Sequence, residues 1–100
     1  MVKHIVIWRL KDSAAGRSKS DNAGLIKEKL ESLRGKIPGL LYLEVGLDFG
    51  QSENSGDVVL LSEFESRAAL DAYQVHPLHK AVMPFVLEAR SERRVVDYEI

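Results

Sequence analysis

The sequence predicts a single α+β domain in the order strand, helix, strand, strand, helix, strand, and three observations predict it. Apolar residues alternate with period two in four separate stretches, as strands require. Between the first and second of these stretches, and again between the third and fourth, apolar residues recur at helical spacing behind a serine able to cap a helix. The 100-residue length supports one hydrophobic core and excludes a second domain.

Lys3 to Lys11 sorts into His4, Val6, Trp8 and Leu10 on one side and Ile5, Ile7 and Arg9 on the other, with the β-branched and aromatic content of a strand. Asp12 to Ser20 mixes Ser, Ala, Gly and charges without a period and reads as a loop. Ser18 with Asp21 then opens a helix carrying Leu25, Ile26, Leu30, Leu33 and Ile37, which Gly35 and Pro38 stop. Leu40 to Phe49 is the second strand, with Leu41, Leu43, Val45, Leu47 and Phe49 on one face and Leu40, Tyr42 and Glu44 on the other. Gly50 to Asp57 is a polar hairpin loop. The third strand runs from Val58 to Glu65, with Val59 and Leu61 opposing Val58, Leu60 and Phe64. Ser66 caps a short helix bearing Ala69, Leu70 and Tyr73. Pro77 suits the first turn of a further segment reaching about Arg90, which Pro84 is expected to kink. Arg93 to Ile100 is the last strand.

Two helical units on one four-stranded antiparallel sheet give the split βαβ, ferredoxin-like arrangement, and right-handed crossovers place strands one and three at its centre. Helices can cover only one face of that sheet, yet its strands are apolar on both, with Ile5, Ile7, Leu40, Val58 and Leu60 on or near opposing sets. Leaving four such side chains in water forfeits roughly 1.5 to 3 kcal/mol each, a large loss for a marginally stable domain. The expectation is a homodimer packed sheet against sheet into a dimeric α+β barrel.

Composition narrows the function classes. Fourteen basic and fifteen acidic residues leave a formal charge of -1, which exerts no general pull on nucleic acid or anionic membranes. With no cysteine, disulfides, thiolate metal sites and a cysteine nucleophile are excluded, and nothing points to an oxidising compartment. Charged residues interrupt the apolar N-terminus and no stretch reaches the roughly 18 apolar residues of a membrane span, so the reading is cytoplasmic. No phosphate-cradling glycine loop, nucleophile elbow or RNA-binding aromatic signature is present.

The residues able to carry chemistry gather in Tyr73, Gln74, Val75, His76, Pro77, Leu78, His79. Pro77 fixes a helix start, so His79 falls in the first turn, where the helix dipole disfavours an imidazolium and leaves a neutral base. With Tyr73 turned inward, a hydroxyl donor and an imidazole base would share one cavity, the minimum for removing a proton beside a carbonyl. His4 would join from the sheet. The plainer alternative makes His76 a cap before proline and Tyr73 a core residue. His76 and His79 at separation three offer a weak metal pair, since no HExxH repeat completes it. Trp8 reads as core, and Arg90, Arg93 and Arg94 as a solvated cluster with the capacity to hold an anionic ligand tail.

These residues resemble a known family. Val2 to Val6 with Trp8, Leu10, Lys11 and Asp12, then Ile37, Pro38, Gly39, then Phe64, Glu65, Ser66, then Ala72 through His79, and finally Val96, Asp97, Tyr98 are together similar to the stress-responsive A/B barrel (Dabb) family over essentially the whole chain. The resemblance implies a ferredoxin-like domain dimerised through its sheets. Some plant members are stress proteins, and polyketide-cyclising members close a ring by aldol condensation without metal or organic cofactor. In those cyclases the positions matching Tyr73 and His79 are the acid and base, and His4 also matches. The sequence departs from the cyclases at Asp57, Val58, Val59, which lack their polar residue, and at Arg90 and Arg93, which suit an alkyl-lined wall poorly.

Two readings follow, neither calling for a cofactor or a metal. One is a dimer binding a small apolar or carbonyl-containing ligand, with lyase, cyclase or isomerase chemistry on His79, Tyr73 and His4; cofactor-free monooxygenases of a related fold make an oxygenase its nearest enzymatic variant. The other is a non-enzymatic stress-response binding or structural dimer. A cavity of about 300 Å³ or more reached by Tyr73 and His79 would favour the first, and a filled core with both side chains bonded to backbone the second.

Overall fold

Strand β1 (Val2–Leu10) lies inside the sheet, and its alternation sorts the molecule into two sides. Val2, His4, Val6, Trp8 and Leu10 are buried, while Ile5 is half-buried and Ile7 exposed. The computed structural model describes residues 1–100 and sets β1 between two antiparallel partners, β5 (Val58–Phe64) and β6 (Arg90–Glu99). Strand β4 (Leu40–Leu47) pairs with the far side of β5, giving the order β4-β5-β1-β6. This is the ferredoxin-like order, with the first and third long strands central.

The helices α1 (Lys19–Glu31), α2 (Arg67–Gln74) and α3 (Pro77–Ala89) cover one face. Each begins where local chemistry satisfies a free N–H group. Ser18 Oγ accepts from the Asp21 N–H, Ser66 Oγ from the Ala69 N–H, and His76 Nδ1 from the Leu78 N–H, each at 3.1 Å. Pro77 occupies the first turn of α3, which runs on through Pro84. Ile26, Leu30, Val82 and Val86 from the helices close a core with Val6, Leu43, Val45, Leu60 and Phe64 from the sheet.

Several boundaries differ from the sequence expectation. The stretch read as a loop contains a hairpin, β2 (Ser13–Ala14) with β3 (Arg17–Ser18), turned through Ala15 and Gly16 at φ 53° and 75°. Buried Asn22 holds it, donating to the Ala14 carbonyl and accepting from Arg17 Nε at 3.0 Å. Helix α1 ends at Glu31, and Leu33 and Ile37 reach the core from the turns that follow it. In β4 the pairing is irregular between Leu40 and Tyr42, which rotates Leu41 outward, and Phe49 lies beyond the strand and is exposed. Strand β6 starts at Arg90 rather than Arg93.

Pairing also fixes the uncovered face. Ile5 lies opposite Leu61 and Val96, Ile7 opposite Val59, and Lys3 opposite Tyr98, so these side chains share the side that carries no helix. Ile7 is 42% and Val96 59% exposed there. No helix is long and apolar enough to cross a membrane.

Candidate functional site

The helical layer spans β4, β5 and β1 but stops short of β6, and a cavity of about 220 Å³ opens where it stops. His4, Val6 and Trp8 border it from β1, Tyr73 and Gln74 from α2, His79 and Met83 from α3, and Arg90 and Arg93 from β6. It is smaller than the size the catalytic reading asks for.

Tyr73 belongs both to its wall and to the core. The side chain is fully buried, with its ring 4.3 Å from that of His79, 5.0 Å from that of Phe64 and 6.2 Å from that of His4 between centroids. Its hydroxyl is buried and has no hydrogen-bond partner. A buried phenol normally finds one, because desolvating a hydroxyl without compensation costs about 1–3 kcal/mol. Burial also pushes the phenol far above its ordinary range, so Tyr73 keeps its proton and remains a donor.

His79 is half-buried, and its Nδ1 lies 3.2 Å from the Gln74 carbonyl oxygen. A carbonyl only accepts, so Nδ1 carries the proton and Nε2 is left with its lone pair. Desolvation lowers the His79 pKa below 6.5, outweighing the bond to Gln74, with the electrostatic influence of His4, Arg93 and His76 acting in the same downward sense. The ring is therefore a neutral base at pH 7. His4, buried on β1, gives its Nδ1 to Asp97 across the β1–β6 pairing, where the two residues lie opposite each other. That bond orients the imidazole. Ser62 Oγ donates to the His4 carbonyl at 2.8 Å and fixes the strand beneath.

All three sequence-selected residues, His4, Tyr73 and His79, border the same cavity. His76 does not, because its ring is engaged as the α3 cap. The arginines separate: Arg90 and Arg93 border the cavity, while Arg94 lies opposite Ile7 on the helix-free face. Trp8 is both a core residue and part of the cavity wall. Sequence reasoning quoted Asp97 and Gln74 within longer segments but gave neither a role at the site. The signal for Asp97 was available only through strand register, which pairs it with His4, and Gln74 acts through its backbone, which no side-chain motif announces. No group of three or more His, Asp or Glu side chains assembles to hold a metal.

The model of the Stress responsive A/B Barrel Domain matches residues 2–100. The chain belongs to the stress-responsive A/B barrel family. A dimeric ferredoxin-like protein of unknown function from Bacteroides fragilis is 34% identical, with a TM-score of 0.87 over 99% of this chain and 95% of that one. A second dimeric ferredoxin-like protein, from Jannaschia, is 30% identical with a TM-score of 0.77, covering 99% and 98%. A hydroxynitrile lyase from Passiflora edulis shares the fold at 20% identity, with a TM-score of 0.81 over 99% and 92%. None of the curated proteins matches. The cavity lies between the helical layer and the sheet.

Proposed function

We propose that this A/B barrel protein is a homodimer, joined through its helix-free sheet faces, whose cavity binds a small carbonyl compound and moves a proton on it without a cofactor. The observation that carries the chemical half is the buried, unpartnered hydroxyl of Tyr73, a residue of the cavity wall, beside a neutral His79. A ligand carbonyl would accept from Tyr73, completing the missing hydrogen bond and drawing charge onto its oxygen. His79 would take the proton from the adjacent carbon, giving an enolate. His4, oriented by Asp97, assists from the sheet side. Isomerisation, ring closure and lyase reactions share this first step, and the hydroxynitrile lyase among the fold neighbours shows that a lyase exists on this architecture.

The dimer rests on the apolar residues of the open face, among them Ile5, Ile7, Leu61, Val96 and Tyr98, and on the relatives described as dimeric. Sedimentation equilibrium at micromolar concentration is expected to give twice the 11.2 kDa chain mass. A monomer mass overturns this part.

A specific observation favours a second reading, a non-enzymatic stress-response binding or structural dimer: the cavity is only about 220 Å³ and His79 already bonds the Gln74 carbonyl. Proton exchange separates the two. A panel of small ketones and aldehydes is incubated with the protein in D2O and deuterium uptake beside the carbonyl is followed by NMR. Catalysis predicts enzyme-dependent uptake into at least one compound, falling by about 10²-fold or more in Tyr73→Phe and His79→Gln. Tyr73→Phe keeps the ring packing and removes an unsatisfied group, so its unfolding free energy is expected to be unchanged or about 1 kcal/mol higher. Binding without exchange establishes the second reading, and absence of binding overturns a ligand role.

A further inference from the structure

Arg90 and Arg93 are the arginines that border the cavity. Arg93 lies opposite Trp8 and Arg90 opposite Leu10 in the β1–β6 pairing, so both arise on the helix-covered side of the sheet although β6 is the strand that the helices leave uncovered. Both border the cavity, Arg90 half-buried and Arg93 exposed. The ion-paired arginines of the molecule are Arg34 with Glu31 and Arg67 with Glu99; Arg90 and Arg93 pair with no carboxylate. No Asp or Glu is among the residues lining the cavity, and Asp97, on the same side of β6, is engaged by His4. Arg90 has a local reason for its charge, because it follows the last residue of α3, where the helix dipole favours a cation. Arg93 has no such reason.

The remaining wall is mostly apolar, including Val6, Trp8, Leu60 and Met83, with His4, Gln74 and His79 as its other polar members. A cavity with an apolar stretch and two cations at one side suits a molecule of matching polarity, and the planar guanidinium fork fits a carboxylate by two parallel hydrogen bonds. We propose that the carbonyl ligand is also a small monocarboxylic acid, its carboxylate held by Arg93 with Arg90 beside it and its apolar body lying against Trp8 and Met83. This rests on the cavity being a ligand site, as proposed above, and adds the class of ligand. It also accounts for the departure from an alkyl-lined wall: the arginines exclude a molecule that is apolar at both ends, since seating one would strip water from two charges without replacement.

Titrating hexanoate, hexanamide and inorganic phosphate into the wild type, Arg93→Gln and Arg90→Gln, followed by NMR of the amide and imidazole signals at low ionic strength, tests this. The expected result is that hexanoate perturbs Tyr73, His79 and Arg93 together and binds about tenfold more tightly than hexanamide. Arg93→Gln should weaken hexanoate by about tenfold and leave hexanamide unchanged; Arg90→Gln should act in the same direction and less strongly. Salt at about 0.5 M should weaken hexanoate alone. Equal binding of hexanoate and hexanamide overturns the carboxylate assignment while leaving the cavity a ligand site. Phosphate shifting Arg93 as strongly as hexanoate overturns it too, reducing the arginines to a bare anion patch. Failure of both hexanoate and hexanamide to bind overturns the assignment together with the ligand role beneath it.

Discussion

The two edges of the sheet are built in opposite ways. At the β4 edge, α1 and the turn after it lie alongside and their polar side chains close the exposed backbone: the Glu31 carboxylate accepts from the Val45 N–H at 3.2 Å, Lys27 Nζ donates to the Val45 carbonyl, and Arg34 Nε donates to the Leu43 carbonyl at 2.7 Å. Lys27 and Arg34 also pair with Glu31, and the hydrogen bond from Lys27 is the largest cause holding that carboxyl below its usual range. Unpaired strand groups that would template association are thereby occupied. At the β6 edge every residue after Arg90 is exposed, and Val95 is 41% exposed although it lies opposite buried Val6. The contrast shows how a small domain makes room for a site. The helical layer is committed to one edge, and at the other the same layer ends one strand early, so a cavity opens beside His4, Tyr73 and His79, of which His4 and Tyr73 stay buried and His79 is half-buried.

The comparison breaks most sharply under truncation. Ile26 on α1 is fully buried, and Ile26→Ala is expected to cost about 2–5 kcal/mol, because the removed methylenes leave a hole in packed surroundings. Val95→Ala at the open edge should cost less than about 1 kcal/mol. Urea unfolding of both variants at fixed protein concentration measures the difference. Near-equal costs would mean that something covers β6 in solution, and that the asymmetry belongs to the isolated chain.

The covered part of this architecture was largely legible in the sequence, and the open part was not. Alternation in Lys3 to Lys11 and Val58 to Glu65 gave the two central strands because burial on one face demands period two there, and Ser18, Ser66 and Pro77 marked the helix starts because those side chains or rings satisfy a fixed local geometry. Alternation failed in β4, where the irregularity at Leu41 and the end of the strand before Phe49 placed apolar residues outward. A bulge changes which face a residue takes without changing composition. At the site, His4, Tyr73 and His79 were selected by residue type and by resemblance. The pairing of Asp97 with His4 depends on register between strands far apart in the chain, a quantity that local periodicity does not contain, whereas the separation of Arg93 from Arg94 follows from alternation along one strand.

A smaller effect sharpens the comparison at the open edge. The His79 pKa lies below 6.5 in the fold, chiefly because the cavity wall desolvates it, whereas the unfolded chain leaves the ring in water. Between those two values the unfolded state binds more protons, so stability must rise with pH. The sign follows: His79 makes no pH-dependent difference above about 6.5, and it destabilises the fold progressively as pH falls below that value until the folded ring also protonates. Glu31 acts in a separate window, since its carboxyl is lowered from 4.5 and its contribution is lost only at more acid pH. Unfolding free energies at pH 7.5 and pH 5 are therefore expected to differ less in His79→Gln than in the wild type, and a ¹H NMR titration of the His79 ring should give a midpoint below 6.5 that moves upward in Arg93→Gln, where one repelling charge is gone. Activity that needs the free imidazole should fall along the same curve. A midpoint at or above 6.5 would mean that water reaches His79 freely and that the edge is open to solvent as well as to ligand.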